Sequence, residues 1–144
     1  MQWDENNEAL FGAWKLASSI LEDLDSGEKK LLWGEHPNGC LVLTPARRLI
    51  VIQTAERRKF PQTDEDRVGG FETVLACSGR YRNEGSRIVV KLDLASDETW
   101  NGAEQVWYYR LENDQLHMEI APQRYLNLAG GKIMRGFQVW QRDH

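Results

Sequence analysis

The side chains able to do chemistry are few in this chain and stand far apart. In Arg80-Tyr81 the guanidinium could meet a carboxylate or enolate, and the phenol could donate a hydrogen bond to a carbonyl. An exposed salt bridge is the plainer use of Arg80. Trp107 and Tyr109 are two residues apart, so on an extended chain they share a face and offer apolar rings with an N–H and an O–H to orient a ligand. Core packing is the competing use of both. Glu35-His36 sets a carboxylate beside an imidazole that titrates near neutrality, a pairing suited to acid–base work. Neighbours on an extended chain point to opposite faces, however, and Pro37 with Gly39 makes a turn-stabilising role the simpler one. His117 alternates with Leu116 and Met118, on the side opposite an apolar row. No Ser-His-Asp constellation, zinc spacing, Walker loop or Rossmann glycine pattern occurs, so no cofactor and no metal is expected.

The elements that must position these groups read as strands. Ile88, Val90, Leu92 and Leu94 alternate with Arg87, Lys91 and Asp93, a period of two with one apolar face. Ala103 to Leu111 pairs across Glu112-Asn113-Asp114 with Leu116 to Ile120, where Leu, Met and Ile again share a face, and places Trp107 and Tyr109 inward. Cys40 to Thr44 and Leu49 to Thr54 are rich in β-branched and apolar residues around the corner Pro45-Ala46-Arg47-Arg48, and their unbroken apolar character predicts burial on both faces. Lys29 to Trp33 is a short strand bounded by Asp25-Ser26-Gly27 and Asn38-Gly39.

One segment breaks the rhythm. From Ala55 to Gly70 basic Arg57-Arg58-Lys59, Pro61 and acidic Asp64-Glu65-Asp66 exclude a central strand. Thr63 ahead of those acids predicts a short helix within 63–76, and the whole segment from Ala55 to Ala76 is expected to lie across one barrel end as a lid. At the two extremes, Leu10-Phe11-Gly12-Ala13-Trp14-Lys15-Leu16 and Gly136 to Arg142 read as first and last strands that meet, with Arg142 over the Trp14 ring. The count is about eight to ten strands with one helical insertion: an all-β chain closed into a single antiparallel barrel over 1–144.

Composition bounds the partners. A chain of 144 residues buries roughly 70% of the surface it exposes when unfolded, enough for one domain without disulfide or metal. The formal charge of −4 gives no field to hold nucleic acid or an anionic membrane, and no apolar run approaches the ~20 residues of a membrane span. The acidic start Met1 to Glu8 lacks the pattern of a signal peptide, and Cys40 and Cys77 read as reduced core residues, so a cytoplasmic setting is expected. Oligomeric state is not encoded in any of these features.

Leu10-x-Gly12-x-Trp14-x-Leu16, Gly34-Glu35-x-Pro37-x-Gly39, Ser78-Gly79-Arg80-Tyr81 and Trp140-x-Arg142, in that order over nearly the whole chain, resemble the bacterial and fungal lipocalin-like domain family, a branch of the calycin-type barrels. The resemblance implies an antiparallel barrel around a cavity for a small, largely apolar or aromatic molecule. Its relatives include carriers and cofactor-free isomerases or cyclases. Arg80, Tyr81, Trp107 and Tyr109 are the residues expected to meet such a molecule. Three functions stay open at this point: binding, catalysis by a cofactor-free isomerase, cyclase or lyase using Arg80, Tyr81 or Glu35, and a filled barrel that serves as an interaction protein.

Overall fold

The computed structural model describes residues 7–144. Nine strands form one antiparallel sheet: β1 (Gly12–Asp23), β2 (Lys29–Leu31), β3 (Asn38–Leu43), β4 (Arg48–Thr54), β5 (Val74–Glu84), β6 (Arg87–Ala95), β7 (Glu104–Glu112), β8 (Gln115–Tyr125) and β9 (Lys132–Asp143). From β3 to β9 each strand pairs with the next, and β1 pairs with β3 on one side and β9 on the other, so eight strands close into a barrel without open edges. The short β2 adds to the far half of β1, with Ile20 opposite Leu31 and Glu22 opposite Lys29. The expected all-β barrel and the meeting of first and last strands are both present.

Up-and-down order sorts the connections by length. At one end, here the closed end, the turns are tight: 44–47, Gly85-Ser86 and Asn113-Asp114, where Gly85 and Asn113 take the positive φ that two-residue hairpins need (71° and 55°). At the other, the loop end, lie the long connections 24–37, 55–73, 96–103 and 126–131. The second of these contains α1 (Asp64–Phe71), capped by the Thr63 hydroxyl accepting from the Asp66 N–H at 3.1 Å, within the stretch expected to be helical. No residue of α1 is buried, so it rides outside the core. The fourth contains the single turn α2 (Leu126–Ala129).

A 3-10 turn at Glu8–Leu10 covers the closed end, burying Leu10 and accepting the Trp14 indole N–H on the Leu10 carbonyl at 3.0 Å. Leu10 thus precedes the first strand rather than opening it. Gly12 links the two with φ at +119°, a conformation that L side chains rarely adopt. Leu10, Trp14, Leu43, Leu49, Ile88 and Leu116 fill the closed half with apolar atoms.

Three register shifts decide what faces inward. In β1 the pairing with β9 skips Ala17, so Trp14 and Leu16 point in before it and Ser19 and Leu21 after it. In β8 it passes Ala121-Pro122 between Ile120 and Gln123, which keeps Gln123 and Tyr125 on the inner wall. In β6 it skips Asp93, so Leu94, expected on the apolar face with Ile88, Val90 and Leu92, is 68% exposed. Gly79 sits opposite that irregularity, and any Cβ there would collide with the Lys91 carbonyl oxygen.

Two further expectations are corrected by the same pleat. β4 is buried on one face alone: Leu49, Val51 and Gln53 point in, while Ile50 and Ile52 are 43% and 50% exposed, because no second layer covers the outer wall. Cys40, opposite Ile52, is exposed on that wall, whereas Cys77 is buried, and both thiols are free.

Candidate functional site

The loop half of the barrel is lined differently from the closed half. Here Leu21, Leu32, Val51, Leu75, Trp100, Trp107 and Ile120 share the wall with Ser19, Gln53, Gln105, Gln123, Tyr125 and Gln138. These side chains surround a cavity of about 30 Å³. That holds one or two waters, since a single water occupies ~10–15 Å³ on this measure. Every described side chain on the wall is formally neutral.

Three tryptophans organise the amides. The indole N–H of Trp33 donates to Gln53 Oε1 at 2.8 Å, that of Trp107 to Gln105 Oε1 at 2.9 Å, and that of Trp140 to Gln138 Oε1 at 3.0 Å. An indole N–H can only donate, so each amide must turn its oxygen to the ring and its NH₂ the other way. Gln53 and Gln105 are 1% and 6% exposed, and among the described residues the Nε2 atoms of both have no hydrogen-bond partner. Trp33 reaches Gln53 because the chain bends inward just after β2; Gly34 follows with φ at +89°, and Glu56 accepts the His36 N–H at 3.1 Å to hold the bend.

Two titratable groups reach the cavity. Burial pushes the Cys77 thiol and the Tyr125 phenol each up to about 12, so both stay protonated at neutral pH. Tyr125 meets Trp100 edge to face at 5.1 Å, and the Trp100 indole donates to the Arg124 carbonyl at 2.8 Å. The surrounding loops are stitched by Asp97, whose carboxylate accepts from the Thr99 and Leu126 N–H groups at 3.1 and 3.0 Å. By contrast the 55–73 connection makes mostly internal contacts, Arg58 to Thr73 and Gly70, and Lys59 to Asp66. A hollow of about 520 Å³ lies at this end, with Glu72, Lys30, Asp23 and α2 on its rim.

The four residues expected at the ligand fall in three places. Trp107 lines the cavity, and its strand parity is the expected one, with Tyr108 facing out. Tyr109 shares that inward parity but stands at the closed end, donating to the Gly85 carbonyl and accepting from Asn7, both at 3.1 Å. Tyr81 is also there, beside the Thr44 carbonyl at 3.5 Å, with burial raising its phenol above the ordinary range. Arg80 is on the outer face, 3.4 Å from the Ala46 carbonyl. His117 faces out beside Glu112, and Glu35-His36 is an exposed bend.

What the sequence reading left out is the polar wall. Gln53 and Gln105 lie two residues from Val51 and Trp107, on the same faces, so alternation alone carried that signal. Ser19 and Gln123 follow register shifts that composition does not announce. Among the described residues no group of three His, Cys, Asp or Glu side chains could hold a metal ion, and no helix is long and apolar enough to cross a membrane.

The chain resembles a solved REP1-NXSQ fatty acid transporter over 95% of its own length and 98% of that chain, at 11% identity and a TM-score of 0.42. No curated protein matches it. The family model described as "Lipocalin-like domain" covers residues 11–143, from the residue before Gly12 to the last residue of β9, and the chain belongs to this lipocalin-like family.

Proposed function

We propose that the protein binds a small apolar or aromatic molecule in the loop half of the barrel. The observation that carries this reading is the contrast between the halves: the closed half is packed with leucine, isoleucine and tryptophan, while the loop half keeps a cavity between Trp107, Trp100, Ile120 and Leu32. Entry is from the loop end, where Leu32 on the 24–37 connection is half-buried over the cavity and moves aside to admit a body larger than two waters. The 55–73 connection, joined to this one where the Glu56 N–H donates to the Trp33 carbonyl at 3.1 Å and with no buried residue in its helix, is the lid that this movement displaces.

Carriage is the reading the wall supports, because Cys77 and Tyr125 stay protonated and, among the described residues, no carboxylate, imidazole or cation lines the cavity. Cys40, a free thiol on the outer wall that cannot reach the inward Cys77, supports a reducing, cytoplasmic setting. Native mass spectrometry of the purified chain tests the proposal. The expected spectrum carries a retained small molecule that is released unchanged on denaturation, and a compound chemically altered after incubation would replace carriage by turnover.

A further inference from the structure

The cavity wall says more about its occupant than size and apolarity. Gln53 is on β4 and Gln105 on β7, separated around the barrel by β5 and β6, so two different parts of the wall repeat one device. In each, a tryptophan indole N–H donates to the amide oxygen and turns the amide nitrogen, a pure donor, the other way, where it is buried with no partner among the described residues. Gln138, with its oxygen on Trp140, adds a third amide of the same polarity. At Gln53 and Gln105 the wall therefore offers donors and wants acceptors.

Charge narrows the class. Among the described residues no Arg, Lys or His lines the cavity, so a carboxylate placed there would lose its hydration with no counter-ion to replace it. A neutral carbonyl loses far less and gains hydrogen bonds from amides already oriented by their indoles. Building on the binding function above, we propose that the occupant is a neutral carbonyl compound, such as a ketone, lactone or ester, whose oxygen accepts from the side-chain amides of Gln53 and Gln105 while its apolar body packs on Trp107 and Leu32.

Three probes of nearly one shape separate the possibilities: acetophenone carries a neutral carbonyl, cumene replaces it with carbon, and benzoate replaces it with a carboxylate. Each is titrated into the full-length, ¹⁵N-labelled protein, reading the indole N–H of Trp107 and the side-chain amides of Gln53 and Gln105. The expected result is acetophenone binding about 10-fold or more tighter than cumene and than benzoate, the scale of one hydrogen bond. Its amide shifts should centre on Gln53 and Gln105. The preference over cumene should shrink in Gln105→Met and in Gln53→Met. Should either variant fail to fold, the comparison in the unaltered protein still decides.

Cumene binding as tightly as acetophenone would overturn the carbonyl assignment and leave apolar binding in place. Benzoate binding tightest would overturn it in favour of an anion site. If none of the three moves the Trp107 resonance, so that the amides serve water alone, the binding function and this inference fall together.

Discussion

The Arg142 guanidinium lies over the Trp14 ring with 3.9 Å between its carbon and the ring centroid, and the two residues are paired across the seam where β9 meets β1. The same guanidinium donates to the Phe11 and Ala9 carbonyls at 3.0 and 2.6 Å, so one side chain fastens the seam and the 3-10 turn over the closed end. Cation–π contact and hydrogen bonds from a charged donor each contribute ~1–2 kcal/mol in partly desolvated settings. Arg142→Ala should lower stability by about 2 kcal/mol, read as a lower urea midpoint with an unchanged slope. Arg142→Lys keeps the charge but not the fork and should fall between.

Trp14 itself is fully buried. Trp14→Ala should cost ~3–5 kcal/mol as a large-to-small change in a packed core, again by urea unfolding. Ligand binding at the loop end, measured in the surviving folded fraction, should keep its affinity, because Trp14 is not on the cavity wall.

Two glycines make a paired test of the backbone. A Cβ at Gly79 would overlap the Lys91 carbonyl, so Gly79→Ala must push two strands apart and should cost ~2–3 kcal/mol or more. Gly69 lies inside α1, where a Cβ would point into open space among the described residues. Gly69→Ala should leave global stability unchanged or raise it slightly, by up to ~1 kcal/mol, through better helix propensity.

These positions also mark how far the sequence could be read. The seam was legible because Gly12-x-Trp14 and Trp140-x-Arg142 pair large rings with a permissive turn and a cation, and the β7–β8 hairpin was legible because its alternation is regular on both sides of the turn, from Gln105 to Leu111 and from Leu116 to Ile120. Leu94 and Ser19 were not, since one extra residue at Asp93 or Ala17 reverses every later side chain and leaves no mark in composition. Ile50 and Ile52 misled for a different reason: an apolar run reads as doubly buried, yet a lone barrel wall has nothing packed on its outside. The expected site mixed residues from both ends, because Tyr81, Trp107 and Tyr109 share inward parity while parity says nothing of height along the axis.

The α1 connection should respond to acid before the barrel does. Lys59, followed by the Gln62 N–H, holds the Asp66 carboxyl down from 3.8 to about 2. A folded-state pKa below the unfolded one means that the anchoring is fully present above about 4 and is lost as pH falls through about 2. Carboxyl-carbon NMR should find an Asp66 midpoint near 2, and amide exchange in residues 62–71, corrected for its intrinsic pH dependence, should quicken across that window while the strands stay protected.

Four tryptophans at the two ends of the barrel allow the most direct test that the loop-end cavity is the binding site. Trp33, Trp100 and Trp107 have their indole N–H groups tied to residues at the loop end, whereas Trp14 is tied to Leu10 at the closed end. A titration with toluene, followed by the ¹⁵N indole resonances of the full-length protein, should shift Trp100 and Trp107 saturably, move Trp33 through Gln53, and leave Trp14 in place. Saturable binding that moves Trp14 and leaves Trp107 untouched, or no saturable shift at any indole, would contradict the account.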